Sequence, residues 1–245
     1  MSSIPTSIPE ATEQAKAAAQ AAISDGHVRL QVEMVIPEIK QQPIARQFLD
    51  IFAGQQFKVF FPDAGAAALA RRDWESPDFV IRGLGELSEP VDADDETYLV
   101  VNPSSIEVAT VESLCNHAAD RPVVLLNPAL EDVAIVGIGY AARQLRERFL
   151  SQIETCYYLR PLEGAVLYRC YPSAWQLWKE GAPDEYALMC ELAEKPSSEE
   201  IDRILYGDSQ VDALQDPQTN AHQSTKGNKR SLFAELQQFI KALTQ

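Results

Sequence analysis

The stretch FFPDAGAAALARRDW, which runs from Phe60 to Trp74, decides the fold class of this chain. Its first residues predict a short apolar strand, the PDAG segment predicts the turn that ends the strand, and the alanine-rich remainder predicts a helix. The same order of strand, turn and helix recurs near Val101 and Leu126. This repeated order predicts an α/β protein, and in such proteins ligands commonly bind at the turns where the strands end.

The predicted strands are of two kinds. Three short apolar runs are typical of interior strands of a parallel sheet, which are buried on both faces: Lys58–Phe61, Tyr98–Val101 and Val123–Leu126. Residues 28–36 alternate between apolar and polar, which predicts a strand with one buried face and one more polar face. The later segments predict strands at Phe79–Ile81 and Tyr186–Leu192, and an antiparallel hairpin of Cys156–Arg160 and Ala165–Tyr171 around a Glu163–Gly164 turn.

Capping residues and apolar spacing predict the helices. Besides the helix of the quoted stretch, they are Ser7–Asp25 with a Ser7–Glu10 capping box, Pro43–Phe52, a helix capped within Asn102–Ser105 that ends near Ala118, a helix after Gly137, a short helix holding Trp175 and Trp178, and Ser197–Tyr206 with a Ser197–Glu200 box. The sequence therefore predicts a mixed α/β fold with a mainly parallel central sheet, helices on both faces and a C-terminal antiparallel hairpin.

The predicted organisation has three parts. Residues 1–207 form a single α/β domain, and residues 208–230, which are polar and poor in large apolar side chains, form a flexible tether. Residues 231–245 return to helical spacing, with Leu232, Leu236 and Phe239 on one stripe. This amphipathic helix is expected either to dock on its own domain or to bind a partner.

Composition and charge exclude several classes of function. The 245 residues carry a formal net charge of −15, which disfavours binding to nucleic acid or docking on anionic lipid. The first ten residues predict no secretory signal, and the longest apolar run, Val133–Ala142, is about half the ~20 residues of a membrane-spanning helix. The four cysteines have no CxxC spacing and fit reduced thiols. We therefore expect a cytoplasmic protein that can still attach peripherally to a membrane complex.

Several turns are candidates for binding a ligand, because exposed backbone amides at a helix start attract anions. They are the turns that contain Asp63, Gly65, Asn102, Ser104, Asn127, Gly137 and Gly139. Gly137 and Gly139 belong to a GxGxxA pattern, but this pattern lies past the middle of the chain and lacks the acidic residue that a dinucleotide site needs, so close packing of helix on sheet explains it equally well. For Asp63, capping of the helix is the simpler explanation.

Catalytic and metal-binding patterns are not found in the sequence. The three histidines are scattered, and the chain contains no HExxH, GxSxG or Walker A pattern. We therefore expect neither a metal nor a cofactor, and we do not expect an enzyme.

Basic clusters in this acidic chain are candidates for contacts with a protein partner, because Arg and Trp are enriched at binding hot spots. The candidates are Arg71, Arg72, Asp73 and Trp74 on one predicted helix and Arg143 and Arg146, near Arg148, on another. The alternative is a solvated helix surface with intramolecular ion pairs.

Three runs resemble one family: FFPDAGAAALARRDW (Phe60–Trp74), RPVVLLNPALEDVAIVGIGYAARQLRERFL (Arg121–Leu150) and LRPLEGAVLYRCYPSAWQLW (Leu159–Trp178). The chain resembles the domain-of-unknown-function 1995 family of cyanobacteria and chloroplasts from Ile4 to about Tyr206. Members of this family include an assembly factor of the low photosystem II accumulation type. The resemblance therefore implies a role in photosystem biogenesis. It also implies a location that is cytoplasmic or peripheral at the cytoplasmic face of the thylakoid. It supplies no catalytic motif to transfer.

Two hypotheses follow from the sequence. The first is a non-enzymatic accessory factor that binds a photosystem subunit or another assembly factor. The second is a nucleotide- or small-ligand-binding α/β protein, such as a degenerate enzyme, which would bind its ligand at the strand ends.

Overall fold

The computed structural model describes residues 3–86, 91–131, 140–181 and 185–207, and the strands in these residues form one nine-stranded sheet. The strands are β1 (Arg29–Met34), β2 (Phe57–Phe61), β3 (Val80–Gly83), β4 (Thr97–Val101), β5 (Val123–Leu126), β6 (Glu154–Leu162), β7 (Ala165–Cys170), β8 (Trp175–Glu180) and β9 (Tyr186–Leu192). Their order across the sheet is β3-β2-β4-β5-β1-β6-β7-β8-β9. Strands β3 to β6 in this order pair in parallel, and β6 to β9 form an antiparallel meander.

Helices cover both faces of the sheet. They are α1 (Ile8–Ser24), α2 (Gln41–Phe48, continued by a 3-10 turn at Leu49–Phe52), α3 (Ala64–Asp73), α4 (Val108–Ala118), α5 (Tyr140–Arg148) and α6 (Ser198–Tyr206). Helices α1, α2 and α3 pack on the first face in one large apolar cluster. On the second face, α4 and α5 cover the parallel half and α6 covers part of the meander, in two separate apolar clusters. The predicted mixed α/β fold with a mainly parallel sheet is therefore confirmed.

The interior strands are buried as their apolar sequences predict. All five residues of β4 are buried, because β2 and β5 pair with its two sides and helices cover its two faces. The exception is Lys58 of β2, which is 6% exposed. Its ammonium pairs with Asp92 at 2.6 Å and with Asp95 at 2.8 Å, so the acidic segment before β4 is anchored on a buried cation.

The starts of α1 and α6 agree with the predicted caps, with one difference. The hydroxyl of Ser7 accepts a hydrogen bond from the Glu10 amide at 3.3 Å, and that of Ser197 accepts one from the Glu200 amide at 3.2 Å. The Glu10 carboxylate, however, accepts from the backbone amide of Thr6 at 2.8 Å, one residue earlier than a capping box requires. The start of α1 is therefore closed by Thr6 as well as by Ser7.

The prediction of a short helix around Trp175 and Trp178 is wrong. Both residues lie in β8, which pairs with β7 and β9. A spacing of three places them on opposite faces of a strand, so Trp175 joins the cluster under α6 and Trp178 packs against the cluster on the first face. The predicted hairpin is accordingly the first half of a four-stranded meander, because β8 and β9 extend the pairing.

Candidate functional site

The predicted ligand turns at Asn102, Ser104 and Asn127 lie together at the carboxyl ends of the adjacent strands β4 and β5. Both asparagines have left-handed backbones, with φ of 51° at Asn102 and 48° at Asn127. The Asn102 amide donates to the carbonyl of Leu126 at 2.7 Å, and Ser104 forms a β-bridge with Ala129. The tertiary structure thus joins these turns into one polar edge.

Asn127 lies where the connections that follow two neighbouring strands switch from one face of the sheet to the other. After β1 the chain passes to α2 on the first face, and after β5 it passes to α5 on the second face. In open α/β sheets ligands commonly bind at such a change of face, and we call the position between the ends of these two strands the crevice. The Asn127 side chain accepts from the Met34 amide at 2.6 Å and donates to Gln41. Both of its polar groups therefore tie β5 to β1 and α2 across the crevice.

Ser104 organises the loop before α4 rather than the helix itself. Its hydroxyl donates to the Glu107 carboxylate at 2.6 Å and accepts from the Ile106 amide at 3.2 Å. The prediction that a residue within Asn102–Ser105 caps α4 is wrong, because the helix begins at Val108 and Glu107 occupies the N-cap position. The serine closes a local turn four residues ahead of the helix.

Asp63 caps α3, as the simpler of the two interpretations expected. Its carboxylate accepts from the Ala66 amide at 2.8 Å. A Cβ on Gly65 would lie 3.0 Å from that carboxylate, and a Cβ on Gly83 would lie 2.6 Å from the Ala64 nitrogen. The end of β3 therefore packs directly against the turn. Gly137 and Gly139 lie outside the described residues.

The predicted partner contacts on α3 have mostly intramolecular roles. Arg71 donates to the Ile81 carbonyl at 2.7 Å, and Arg72 pairs with Asp73 at 2.7 Å on the surface. Trp74 is only 6% exposed, and its indole packs in the core between the rings of Phe61 and Phe79. The indole of Trp74 is thus a core group and cannot act as an exposed binding anchor.

The arginines of α5 lie on the opposite face of the sheet from those of α3. Arg143 and Arg146 are exposed, and Arg146 pairs with Glu131 at 3.1 Å. Arg148 forms two hydrogen bonds with Glu112 of α4, at 2.7 and 2.9 Å. The two basic groups predicted from the sequence therefore do not form one surface. Leu232, Leu236 and Phe239 lie outside the described residues.

A polar groove along β1 was not predicted as a site. Strand β1 lies in the middle of the sheet between β5 and β6, where both faces of a parallel strand are normally apolar. Its second face nevertheless carries Gln31 and Glu33, between the cluster under α4 and α5 and the cluster under α6. The Gln31 amide donates to Glu33 at 3.1 Å and to Thr155 of β6 at 2.7 Å. We call this feature the β1 groove.

Lys195 closes one end of the β1 groove. It follows β9 and reaches back across the second face, so that its ammonium lies 3.6 Å from the Glu33 carboxylate. The same ammonium lies 4.1 Å from the centre of the Tyr158 ring and 5.6 Å from a ring centre of Trp175. The two aromatic side chains are each 3% exposed, and their ring centres are 5.0 Å apart. Glu33, Tyr158 and Trp175 thus form a cage around one cation, which we call the Lys195 cage.

The surroundings of the Glu33 side chain disfavour its charged form. Burial raises the pKa of Glu33, and the attraction of Lys195 offsets this effect only in part. The Arg169 guanidinium also lies near Trp175, 5.5 Å from a ring centre, and pairs with Glu154. A protein that keeps a carboxylate where it is disfavoured often uses it, since perturbed ionisable groups cluster at functional sites.

The open edge of the meander is a second surface that the sequence did not indicate. Strand β9 is seven residues long, and no described strand pairs with its outer side. Leu188 is 45% exposed and Met189 is 37% exposed. Several exposed glutamates surround this strand: Glu180, Glu185, Glu191 and Glu194.

One sequence signal could have located the β1 groove. The alternating sequence of β1 indicates one apolar face and one polar face. A polar face is unusual only on a central strand, so the signal points to a site only when the position of β1 in the sheet is known. Nothing local marks Lys195 or the edge position of β9, because both depend on which strands pair.

The fold and these surfaces define a class: a mixed α/β protein with an open sheet, a polar groove on its central strand and an exposed antiparallel edge. The chain belongs to the family described as Domain of unknown function (DUF1995), which its sequence matches over residues 5–203. This match confirms the family resemblance of the quoted motifs. No solved structure matches the chain. None of the helices in the described residues combines the length and the apolar character needed to cross a membrane.

Proposed function

We propose that this protein is a non-enzymatic accessory factor in photosystem biogenesis, which binds a membrane-complex subunit or another assembly factor. The resemblance to the family of cyanobacteria and chloroplasts supports the photosynthetic setting. Binding to a protein partner is supported by one structural observation, the exposed edge strand β9.

An edge strand presents a row of backbone N–H and C=O groups that can pair with another strand. Natural proteins commonly protect such edges with Lys or Pro, but β9 has the sequence YALMCEL and contains neither. Leu188 and Met189 add apolar side chains to the same edge. This combination suits the addition of an extended segment from a partner, in which backbone hydrogen bonds supply affinity and side chains supply specificity.

The charge around β9 indicates the kind of segment that fits. The exposed glutamates near the strand belong to a chain with a net charge of −15. Complementary potentials steer association and suppress wrong partners. We therefore expect the partner segment to combine apolar residues with Lys or Arg.

The experiment is purification of the tagged full-length protein from gently solubilised membranes of its native cell, followed by mass spectrometry. The test variant is Leu188→Lys, which places a charge on the edge. The matched control is Leu69→Lys on α3, because Leu69 is 44% exposed and Leu188 is 45% exposed. Both variants should remain folded, since both side chains already contact water.

We expect photosystem subunits or assembly factors to be recovered with the wild type and with Leu69→Lys, and to be lost with Leu188→Lys. Equal recovery with the two variants would remove β9 from the proposal. Recovery of soluble metabolic enzymes alone, or of nothing, would count against the accessory-factor function itself.

The alternative function is the binding of a nucleotide or another small ligand, and the crevice between β1 and β5 favours it. Open α/β sheets bind ligands outside the carboxyl ends of the strands where successive connections go to opposite faces. A ligand that binds the folded state must raise the melting temperature. A thermal-shift panel of nucleotides and phosphorylated metabolites at millimolar concentration tests this function, and the absence of any stabilisation would argue against it.

A further inference from the structure

The Lys195 cage has the composition of a cation-binding site. Cations are attracted to the faces of Trp and Tyr rings, and a nearby carboxylate strengthens this attraction. In this protein the two rings and the Glu33 carboxylate all surround a single ammonium. Glu131 adds further negative charge near Glu33. The cage therefore selects for positive charge and against anions.

The ammonium group that occupies the cage belongs to a surface side chain. Lys195 lies between β9 and α6, outside regular secondary structure, and its side chain is 45% exposed. The cage walls, by contrast, lie on strands of the sheet that are paired on both sides: Glu33 on β1, Tyr158 on β6 and Trp175 on β8. A half-exposed lysine in a cage whose walls are held by paired strands can give way to another cation, because the walls need not move.

We infer that Glu33, Tyr158 and Trp175 form a binding site for an alkylammonium group, such as the lysine side chain of a partner polypeptide, and that Lys195 is a built-in occupant which this ligand displaces. The inference goes beyond the proposed function and does not rest on it, since the edge of β9 forms no part of the cage. A ligand of this class gains the contacts that Lys195 gives up, so the wild-type protein binds it weakly and a protein without the Lys195 ammonium binds it more tightly.

The test uses the full-length protein labelled with ¹⁵N and two probes, N-acetyl-lysine methylamide and n-butylammonium. N-acetyl-norleucine methylamide is the matched uncharged control. The readout is the NMR signal of the Trp175 indole N–H. Trp74 and Trp178 serve as internal controls, because both pack in or against the cluster on the first face, away from the cage.

The variants separate the occupant from the walls. Lys195→Met removes the ammonium and keeps a long apolar side chain, and Lys195→Gln is a second variant with a different side chain should the first not fold. We expect either variant to bind the lysine probe about tenfold more tightly than the wild type. Adding Glu33→Gln should weaken this binding about tenfold, because the carboxylate no longer attracts the ammonium.

Each result bears directly on the inference. Selective shifts of the Trp175 signal that grow in the Lys195 variants support it. Tighter binding of the lysine probe than of n-butylammonium assigns the site to polypeptide side chains, and equal binding assigns it to small amines. The inference is overturned if the wild type and the Lys195 variants bind equally, if the norleucine control binds as well as lysine, or if Trp74 and Trp178 shift as much as Trp175.

Discussion

Replacement of Lys58 by Met tests the most deeply buried ion-pair network in the described residues. The Lys58 side chain is 8% exposed, and its ammonium contacts Asp92 at 2.6 Å and Asp95 at 2.8 Å. Asp92 is largely in water, but the Asp95 side chain is only 9% exposed. Loss of the ammonium therefore leaves the Asp95 carboxylate buried without its cation.

The expected loss of stability follows from the burial of Asp95. Removing one partner of a buried pair costs about 3–5 kcal/mol, because the remaining charge is not solvated. Met has nearly the length of Lys, so the variant leaves no large cavity. Asp95 also accepts hydrogen bonds from the Asp92 amide at 2.7 Å and from the Tyr98 hydroxyl at 3.1 Å, and Asn can accept both. The double variant Lys58→Met with Asp95→Asn should therefore return to within about 1–2 kcal/mol of the wild type.

A matched control exists elsewhere in the chain. Lys16 has a side chain that is 11% exposed and also contacts two carboxylates, those of Glu13 and Asp50, but these are 67% and 76% exposed. Both acids remain solvated when the cation is removed, so Lys16→Met should cost no more than about 1 kcal/mol. The assay is urea unfolding followed by circular dichroism, with the free energy of unfolding obtained by linear extrapolation.

The same variant changes the response to acid. The hydrogen bond from Lys58 lowers the pKa of Asp92 below its usual value of 3.8. This pair therefore stabilises the fold above that value, and the stabilisation is lost as the pH falls through the lowered pKa. Lys58→Met should flatten this part of the acid unfolding curve. Equal costs for Lys58→Met and Lys16→Met would refute the claim that burial of Asp95 decides the energetics.

Three further predictions concern the groove, the crevice and the turn before α3. Because burial raises the pKa of Glu33 above 4.5, the stability of the wild type should decline as the pH rises from 4.5 through the folded-state pKa, and thermal melts of Glu33→Gln should lack this decline. Asn127→Ala should cost about 1–3 kcal/mol in urea unfolding, because the buried Met34 amide loses its acceptor; an unchanged midpoint would contradict the role assigned to the crevice. Gly83→Ala should cost about 1–3 kcal/mol or more, since the new Cβ would lie 2.6 Å from the backbone at the start of α3, whereas Gly85→Ala, with nothing within 4 Å, should be nearly neutral.

Much of the secondary structure could be predicted from the sequence, because its causes are local. The apolar runs of β2, β4 and β5 fall where they were predicted, since a strand covered on both faces needs no polar residue. The caps at Ser7, Asp63 and Ser197 were also predicted, because each side chain binds an amide three residues away.

Predictions from local patterns failed where strand pairing or burial overrides the local sequence. The spacing of Trp175 and Trp178 suits one face of a helix, but the pairing of β8 with both β7 and β9 overrides it. In the same way, the arginine and tryptophan pattern of α3 resembled a binding surface, whereas burial assigns Trp74 to the core. The partner-binding and ligand-binding roles of the exposed residues stay predictions.

Residues close together in the chain therefore specify the fold class, the family and the starts of α1, α3 and α6. The pairing of distant strands places the polar face of β1 in the middle of the sheet and makes β9 its edge. It alone brought Lys195 to Glu33 and Asp95 to Lys58. No local pattern reveals these features, because burial, and with it the energy of a charge or an exposed apolar side chain, depends on which distant strands pair.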